Sequence, residues 1–288
     1  MNIGYVASGM GPAEALSQAA RLGFDGVELS FSWGTACDLD TWKPDDTRRT
    51  CDEVARSGVR ILAITTGWAN HLASDQAGRD HAFANMLKAI ELAPQLGTSI
   101  VTCNAFGDPA QRPENQVKLF GQVFGEYARR AEDKGVRIGI ENCPHCHTEH
   151  GIQIGNIAYS PALFDPLFEA VPSRAVGLEY DPSHFYWLGI DYVGVIRRYA
   201  DRMVYMHAKD TEVLADRLGQ VGIYGDGWWR YRIPGMGQVN WDHIARALAE
   251  IGYRTGVVIE HEDPVFEGAR FEEGLSLGLK FLRAVLKA

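Results

Sequence analysis

Short apolar stretches rich in β-branched residues alternate along the chain with longer stretches in which apolar residues recur every three or four positions. The first pattern is typical of strands buried on both faces of a sheet, and the second is typical of amphipathic helices. Eight such pairs follow one another, which predicts repeated βα units around a parallel sheet. The predicted strands are residues 2–7, 26–30, 60–65, 99–104, 137–141, 175–181, 203–209 and 256–261.

Eight βα pairs in a chain of 288 residues predict an α/β fold of the (β/α)8 TIM barrel type. The predicted helices end at glycines, because glycine adopts the left-handed conformation that terminates a helix. These glycines are Gly23, Gly58, Gly135 and Gly252. Two predicted loops, 142–160 and 210–239, are long, which is typical of functional loops at a barrel mouth. No linker or low-complexity tract interrupts the series, so we expect a single domain over residues 1–288.

Composition indicates a soluble globular protein with a large core, because hydrophobic residues make up 46% of the chain and charged residues 23%. The formal net charge of −9 argues against nucleic acid as a partner. The chain has no signal-peptide pattern and no apolar run of membrane-spanning length, so we expect a cytoplasmic protein without a membrane partner. The five cysteines are an odd, scattered set and are expected to be reduced. These features are also compatible with a homo-oligomer.

A side chain that can bind a metal stands at the carboxyl end of each of the last four predicted strands. These residues are Glu141, Asp181, His207 and Glu260. Active sites of such barrels lie at that end of the strands. Three carboxylates and one imidazole suit a single divalent metal ion, Mn²⁺, Mg²⁺, Co²⁺ or Zn²⁺, and leave positions free for substrate oxygens. The ion would also balance the charge of three carboxylates brought close together.

Three segments carry a resemblance to a known family: 181–184 (DPSH), 207–210 (HAKD) and 234–241 (PGMGQVNW). They resemble the xylose isomerase-like barrel superfamily, which includes sugar phosphate isomerase/epimerase-like proteins, ketose 3-epimerases, inosose dehydratase and endonuclease IV. The likeness extends over essentially the whole chain. It implies that the four residues at the strand ends are the metal ligands, and that Glu141 and Glu260 are also the acid and base on opposite faces of the substrate. It further implies that His184 contacts the substrate or a second metal.

This set of side chains suits proton transfer on a keto-sugar or a related polyol. A proton beside a carbonyl becomes acidic enough for a carboxylate when a cation stabilises the enediolate that forms. Return of the proton to another carbon or face gives isomerisation or epimerisation, whereas loss of a group from the β-carbon gives elimination. We therefore expect a metal-dependent isomerase or epimerase, with Mn²⁺ as the favoured ion. The alternative is a lyase or dehydratase that acts on an oxidised sugar, an inosose or a 3-keto-glycoside.

Several other residues are candidates for binding a small-molecule sugar. Trp228 and Arg230 stand in a loop whose aromatic rings could pack on sugar faces and whose guanidinium groups offer fixed donors. Lys209 is expected to point to the same side as His207, because side chains alternate along a strand. The remaining candidates are Asn104 at the end of the fourth strand, His71 after the third and His145 after the fifth. A structural role is the alternative for each of them.

Two other interpretations of the sequence are a zinc knuckle and a nuclease. Cys143 and Cys146, with the histidines beside them, have the spacing of a zinc knuckle, but the chain has no second pair of cysteines at that spacing to complete such a site. A nuclease resembling endonuclease IV is the rival from another substrate class. That family uses additional histidine and aspartate ligands, whereas here Asn104 stands where a histidine is expected. The segment 226–228 (DGW) also lacks the expected Asp-x-His pair, so a nuclease stays a remote alternative.

Overall fold

Eight parallel strands close into a barrel in the structure, a computed structural model that describes residues 1–67, 69–144, 146–147 and 153–286. The strands in chain order are β1 (Ile3–Ala7), β2 (Gly26–Ser30), β3 (Arg60–Thr65), β4 (Ile100–Cys103), β5 (Arg137–Glu141), β6 (Cys146–His147), β7 (Gln153–Ile154), β8 (Val176–Tyr180), β9 (Met203–Ala208), β10 (Asp210–Val213), β11 (Trp229–Arg232) and β12 (Val257–Ile259). The barrel order is β1, β2, β3, β4, β5, β8, β9 and β12, and β12 pairs with β1. The predicted (β/α)8 TIM barrel is confirmed, and each predicted strand segment contains one barrel strand.

Helices surround the barrel. They are α1 (Pro12–Leu22), α2 (Pro44–Ser57), α3 (Gln76–Gln95), α4 (Pro113–Lys134), α5 (Pro161–Ala170), α6 (Pro182–Trp187), α7 (Tyr192–Arg198), α8 (Ala215–Val221), α9 (Trp241–Glu250) and α10 (Phe271–Val285). Helices α1, α2 and α4 end at Gly23, Gly58 and Gly135, whose φ angles of 82°, 71° and 65° are left-handed. The predicted role of these glycines is thus confirmed. Among the described residues, no helix is both long and apolar enough to span a bilayer.

Apolar side chains fill the space on both sides of the strands. The larger cluster lies between strands and helices and includes Leu29 and Phe120. A smaller cluster contains Leu62, Ile100 and Val204. Burial of each such side chain stabilises the fold by about 1.5–3 kcal/mol. Because the interior of such a barrel is a packed core, a site has room at the ends of the strands rather than along a central channel.

The long segment after β9 is an ordered wall rather than an irregular loop. Strands β10 and β11 form an antiparallel pair, with α8 between them in the sequence. The buried carboxylate of Asp210 accepts hydrogen bonds from the backbone N–H groups of Thr211, Gly235 and Val239 and from Nε1 of Trp241, all at 2.8–2.9 Å. These four bonds tie the segment to the start of α9.

The segment after β5 is anchored beside one of the predicted metal ligands. Nδ2 of Asn156 donates hydrogen bonds to the backbone carbonyls of Glu141 and Cys143, at 2.7 and 2.8 Å. Asn156 also forms an isolated antiparallel bridge with Phe106, and β6 and β7 form a short antiparallel pair. The described part of this predicted loop is therefore held against the carboxyl end of β5.

Candidate metal and active site

A pocket of about 590 Å³ opens at the carboxyl ends of the barrel strands. Its size is typical of a small-molecule site. Seven of the site residues predicted from the sequence line this pocket, namely Asn104, Glu141, His184, His207, Lys209, Trp228 and Glu260. The pocket therefore lies at the end of the barrel where the strand-end pattern predicted an active site.

Four side chains come together at this pocket. Glu141 is the last residue of β5, Asp181 and Glu260 directly follow β8 and β12, and His184 lies in α6. One ligand atom from each side chain lies within 4.8 Å of those from the other three. A single cation with bonds of about 2.0–2.6 Å could contact all four atoms after small side-chain adjustments. Three of the four predicted ligands are thus adjacent, and His184 joins them.

His207, the fourth predicted ligand, faces the same place with one of its two ring nitrogens. Nδ1 lies 3.4 Å from Oε1 of Glu141 and 3.3 Å from Oε2 of Glu260. On the other side of the ring, Nε2 lies 2.9 Å from Oε1 of Glu179 and 3.3 Å from Oε2 of Glu28. These last two carboxylates and His207 form a second group with the composition of a metal site. The imidazole therefore stands between two pairs of carboxylates.

Several buried polar atoms of the site have no hydrogen-bond partner within the described part of the chain. They are Oε1 of Glu141, Oδ2 of Asp181, Nε2 of His184 and Nδ1 of His207. Leaving a buried polar atom without a hydrogen bond costs roughly 1–3 kcal/mol, and of these four atoms Oδ2 of Asp181 does have the ammonium group of Lys209 at 3.3 Å. One cation would satisfy all four, because carboxylate oxygens and imidazole nitrogens are suitable ligands for divalent transition metals. The residues present therefore fit a divalent ion.

Lys209 brings a buried positive charge to the same carboxylates. Its side chain is only 2% exposed, and its Nζ bonds to Glu260, lies 2.9 Å from Oε2 of Glu262 and lies 3.3 Å from Oδ2 of Asp181. The ring centre of Tyr231 is 4.3 Å from Nζ. Burial alone would lower the pKa of Lys209, but the charges of Glu260, Glu262 and Asp181 raise it well above its usual value. Lys209 is therefore an ammonium group in the pocket wall.

The carboxyl groups of Glu141 and Glu260 are both held in the ionised form by their neighbours. Burial alone would raise the pKa of Glu260, but chiefly the charge of Lys209, helped by His207, lowers this pKa to about 2. Burial acts in the same way on Glu141, where contacts with His184 and His207 lower the pKa well below its usual range. A group must be ionised to remove a proton, so either residue can act as a base.

Glu28 and Glu179 are pocket residues that the sequence reasoning missed. Both lie in barrel strands, are almost completely buried and line the pocket. Burial raises the pKa of Glu179 well above its usual value, although the charge of His207 opposes this. The sequence did contain a signal for each. Glu179 stands two residues before Asp181 and so points to the same side of its strand, and Glu28 is the one charged residue in β2.

One wall of the pocket is aromatic. The rings of Trp187 and Trp229 stack with centroids 4.6 Å apart and planes 4° apart, and Trp228 meets both rings edge-on. Tyr231 packs against Trp229, and its hydroxyl lies 2.8 Å from Nδ1 of His184. Such rings offer flat apolar surfaces next to polar groups, a combination that suits the C–H faces and hydroxyls of a sugar.

Two of the predicted substrate residues lie away from the pocket. Trp229 and Tyr231 of β11 take its pocket side, so Arg230 between them faces the other way, where its Nε lies 2.8 Å from Oε2 of Glu212. His71 is completely buried with its Nδ1 3.0 Å from the hydroxyl of Tyr127. The structure therefore does not bring Arg230 or His71 to the site.

Asn104 and His145 are two further predicted substrate residues. Asn104 lies at the site, where its Nδ2 donates a hydrogen bond of 3.1 Å to Oε2 of Glu141. That bond leaves Oε1 of the same carboxylate free to face the other ligand atoms. His145 lies outside the residues that the structure describes, so its role stays a prediction.

The closed parallel barrel and the buried carboxylate and imidazole groups at its strand ends define a class of proteins. A profile of the family described as xylose isomerase-like TIM barrel matches residues 16–285. The chain belongs to this family. The resemblance seen in its sequence motifs is thus confirmed.

Curated relatives give particular names within this family. An inosose dehydratase of Clostridium beijerinckii is 27% identical over 158 residues, which cover 52% of this chain and 49% of that protein. The rhizopine catabolism protein MocC of Rhizobium meliloti is 29% identical over 218 residues, 70% of this chain and 64% of that one. An inosose dehydratase of Clostridium botulinum is 24% identical over 271 residues, 87% and 82% of the two chains. The matched region spans about half the length of the first of these relatives.

Solved structures extend the comparison over the whole barrel. An IolI protein with a bound zinc atom superposes with a TM-score of 0.79 at 19% identity and covers 100% of this chain and 98% of its own. D-psicose 3-epimerase in the presence of D-fructose gives a TM-score of 0.77 at 17% identity over 100% of both chains. The 3-keto-D-glucoside 4-epimerase YcjR from E. coli gives 0.74 at 14% identity over 99% of both. These likenesses show the shared fold.

Proposed function

We propose that this protein is a metal-dependent isomerase or epimerase of a keto-sugar or related polyol. The proposed ligands of its single divalent ion are Glu141, Asp181, His207 and Glu260. The observation that supports the ion is the group of buried atoms at this point, three of them from these ligands, that lack hydrogen-bond partners within the described residues. Mn²⁺ is the ion we favour. The relative that holds zinc supports a divalent metal in this type of barrel.

Glu141 and Glu260 are the proposed acid and base pair. The bound ion would supply the electrophile that makes a proton beside a carbonyl acidic. Both carboxylates lie within 3.4 Å of Nδ1 of His207, so they border the same small region of the pocket. One carboxylate removes the proton and becomes a carboxyl group. That group, or the other carboxylate once it has taken up a proton from solvent, returns a proton to a different carbon or face. Asn104 and Lys209 hold these two carboxylates in place through hydrogen bonds.

Elimination is the second candidate reaction, and the observation that favours it is the position of Lys209. Loss of a hydroxyl or alkoxyl group from the carbon next to the carbanion centre is assisted by an acid that protonates the leaving oxygen. Lys209 is a buried ammonium in the pocket wall beside Glu260 and Glu262. Curated relatives named inosose dehydratase give further support to this reaction.

Hydrogen exchange in D₂O tests the step that both reactions share. Protein loaded with Mn²⁺ is incubated with ketohexoses, inososes and 3-keto-glycosides, and the recovered sugars are analysed by mass spectrometry and NMR. We expect metal-dependent uptake of deuterium at the carbon beside the carbonyl, together with an epimer or isomer. A product that has lost water or an alcohol would instead identify the second candidate. No exchange on any of the three substrate classes would exclude both reactions.

A pair of matched variants connects that exchange to the proposed base. Glu141→Gln removes the carboxylate but preserves its size, and we expect the exchange rate to fall by roughly 10²–10⁴. Glu91→Gln is the control, because Glu91 is an exposed glutamate paired with Lys134 on the surface. Its exchange rate should equal that of the wild type.

A further inference from the structure

His207 faces two pairs of carboxylates but cannot serve both in the same way. A cation that binds one ring nitrogen displaces the proton there, so the liganded imidazole is neutral, with one N–H donor and one bare nitrogen that coordinates the cation. Nδ1 faces Glu141 and Glu260, whereas Nε2 faces Glu28 and Glu179. The location of the ring proton therefore decides which pair of carboxylates shares a cation with His207.

Nε2 is the ring nitrogen for which the described residues offer a hydrogen-bond acceptor. Nε2 forms a hydrogen bond of 3.3 Å with Oε2 of Glu28, and a carboxylate oxygen can only accept. Nδ1 has no hydrogen-bond partner in the described part of the chain. Oε1 of Glu179 is closer to Nε2, at 2.9 Å, but it too lacks a hydrogen bond among the described residues. Of the two carboxylates, Glu28 is thus the one aligned with the N–H group.

Glu28 is itself oriented by a second hydrogen bond. The hydroxyl of Thr102 donates to Oε1 of Glu28 at 3.2 Å, which leaves Oε2 for His207. Thr102 lies on β4 and Glu28 on β2, and the side chains of both are fully buried. Hydrogen bonds therefore connect Thr102 to Glu28 and Glu28 to His207. They reach the site from β4 and β2, two strands that supply none of the proposed metal ligands.

We propose that Glu28 is a positioning residue that keeps the ring proton of His207 on Nε2 and so directs Nδ1 to the cation. The inference rests on the proposed function, because it needs a cation beside Glu141 and Glu260. A carboxylate behind a ligating histidine fixes the tautomer, orients the ring and makes the ligand more basic. Loss of such a partner typically weakens metal binding by 10–100-fold.

Two substitutions at position 28 separate the hydrogen bond from the charge. Glu28→Gln and Glu28→Leu both remove the negative charge, but only Gln keeps an oxygen that accepts the N–H of His207. Calorimetric titration of metal-free protein with Zn²⁺ should show Glu28→Gln close to the wild type and Glu28→Leu weaker by roughly 10–100-fold. Equal affinities for the two variants would overturn the inference. Absence of binding by the wild type would overturn the proposed function as well, which distinguishes the two failures.

The tautomer can also be observed directly. In Zn²⁺-loaded wild type labelled with ¹⁵N-histidine, NMR should find the ring proton of His207 on Nε2, and a proton on Nδ1 would overturn the inference. Binding of two ions, with one lost in Glu28→Leu, would overturn it too, because Nε2 would then be a ligand. Thermal melting of metal-free protein checks that each variant is folded. If Glu28→Leu does not fold, Thr102→Val takes its place, since it removes the bond that orients Glu28, and an unchanged Zn²⁺ affinity in that variant would count against the inference.

Discussion

At the scale of single residues, His71 is a predicted substrate-binding group that is in fact buried. Its burial makes the stability of the protein depend on pH. Its ring is packed edge-on against Phe124 and Tyr127, with ring centroids 5.8 and 5.5 Å away. Burial lowers the pKa of His71 to about 4, whereas an imidazole in an unfolded chain has a pKa of about 6.5. Between these two values the unfolded chain binds the proton and the folded chain does not. The free energy of unfolding therefore falls as the pH drops from about 6.5 towards 4.

We predict that His71 accounts for about 2–3 kcal/mol of the stability lost between pH 7 and pH 4.5. His71→Phe keeps an aromatic ring at this position but cannot take up a proton. Urea unfolding of the wild type and of this variant at both pH values measures the difference. His243→Phe is the control, because His243 is exposed on α9, and it should behave like the wild type. Identical pH dependence in the wild type and His71→Phe would contradict the prediction.

At the scale of elements, Asp210 holds the wall formed by β10, α8 and β11. Its two carboxylate oxygens accept four hydrogen bonds, three from the backbone and one from Trp241. Gly237 shows how close this contact is, since a Cβ atom there would lie 2.3 Å from Oδ1 of Asp210. Three aromatic residues of the pocket, Trp228, Trp229 and Tyr231, belong to the same segment. The shape of the pocket therefore depends on one buried carboxylate outside it.

Asp210→Asn should loosen this wall without changing the size of the side chain. The NH2 group of the new amide cannot accept hydrogen bonds, so N–H groups that were bonded to one carboxylate oxygen lose their acceptor. We expect a loss of about 2–4 kcal/mol in the free energy of unfolding. Limited proteolysis should also cut faster within residues 210–239. Asp216→Asn is the control, because Asp216 is exposed in α8. Equal stability and equal cleavage rates for the two variants would show that Asp210 does not hold the wall.

At the scale of the whole molecule, the proposed ligands come from four neighbouring strands of the ring. Glu141 ends β5, Asp181 follows β8, His207 lies in β9 and Glu260 follows β12. A cation bound to all four ligands would connect β5, β8, β9 and β12, which are the last four barrel strands in chain order. Its binding energy would then add to the stability of the folded state, because the unfolded chain does not preserve the site.

We therefore predict that metal raises the melting temperature. At a free Mn²⁺ concentration 100 times the dissociation constant, the gain is about 2.7 kcal/mol, which corresponds to roughly 4–5 °C in a domain of this size. Removal of the ion with a chelator should reverse the shift, as measured by calorimetry. His207→Ala should melt at the same temperature with and without Mn²⁺. A full shift in that variant would exclude His207 as a ligand.

Much of the site could be predicted from the sequence because its residues stand at the carboxyl ends of predicted strands. A parallel barrel brings all its strands to the same rim, so a carboxylate or imidazole at a strand end is a site candidate before any contact is known. Glu141, His207 and Glu260 were found in this way and line the pocket. Arg230 was misplaced because the loop that held it is a paired strand, in which alternate residues face opposite sides.

The sequence by itself determined the barrel, its eight strands and the rim at which the polar residues gather, since these depend on local periodicity and on the order of elements. Only the tertiary structure decided which polar groups meet. Glu28 and His207 are 179 positions apart in the chain, and His71 stands close in sequence to a rim strand yet packs in the core. Which side chains touch depends on the closure of the ring, on the register of its strands and on loops that fold across its mouth, and none of these is encoded in a local pattern.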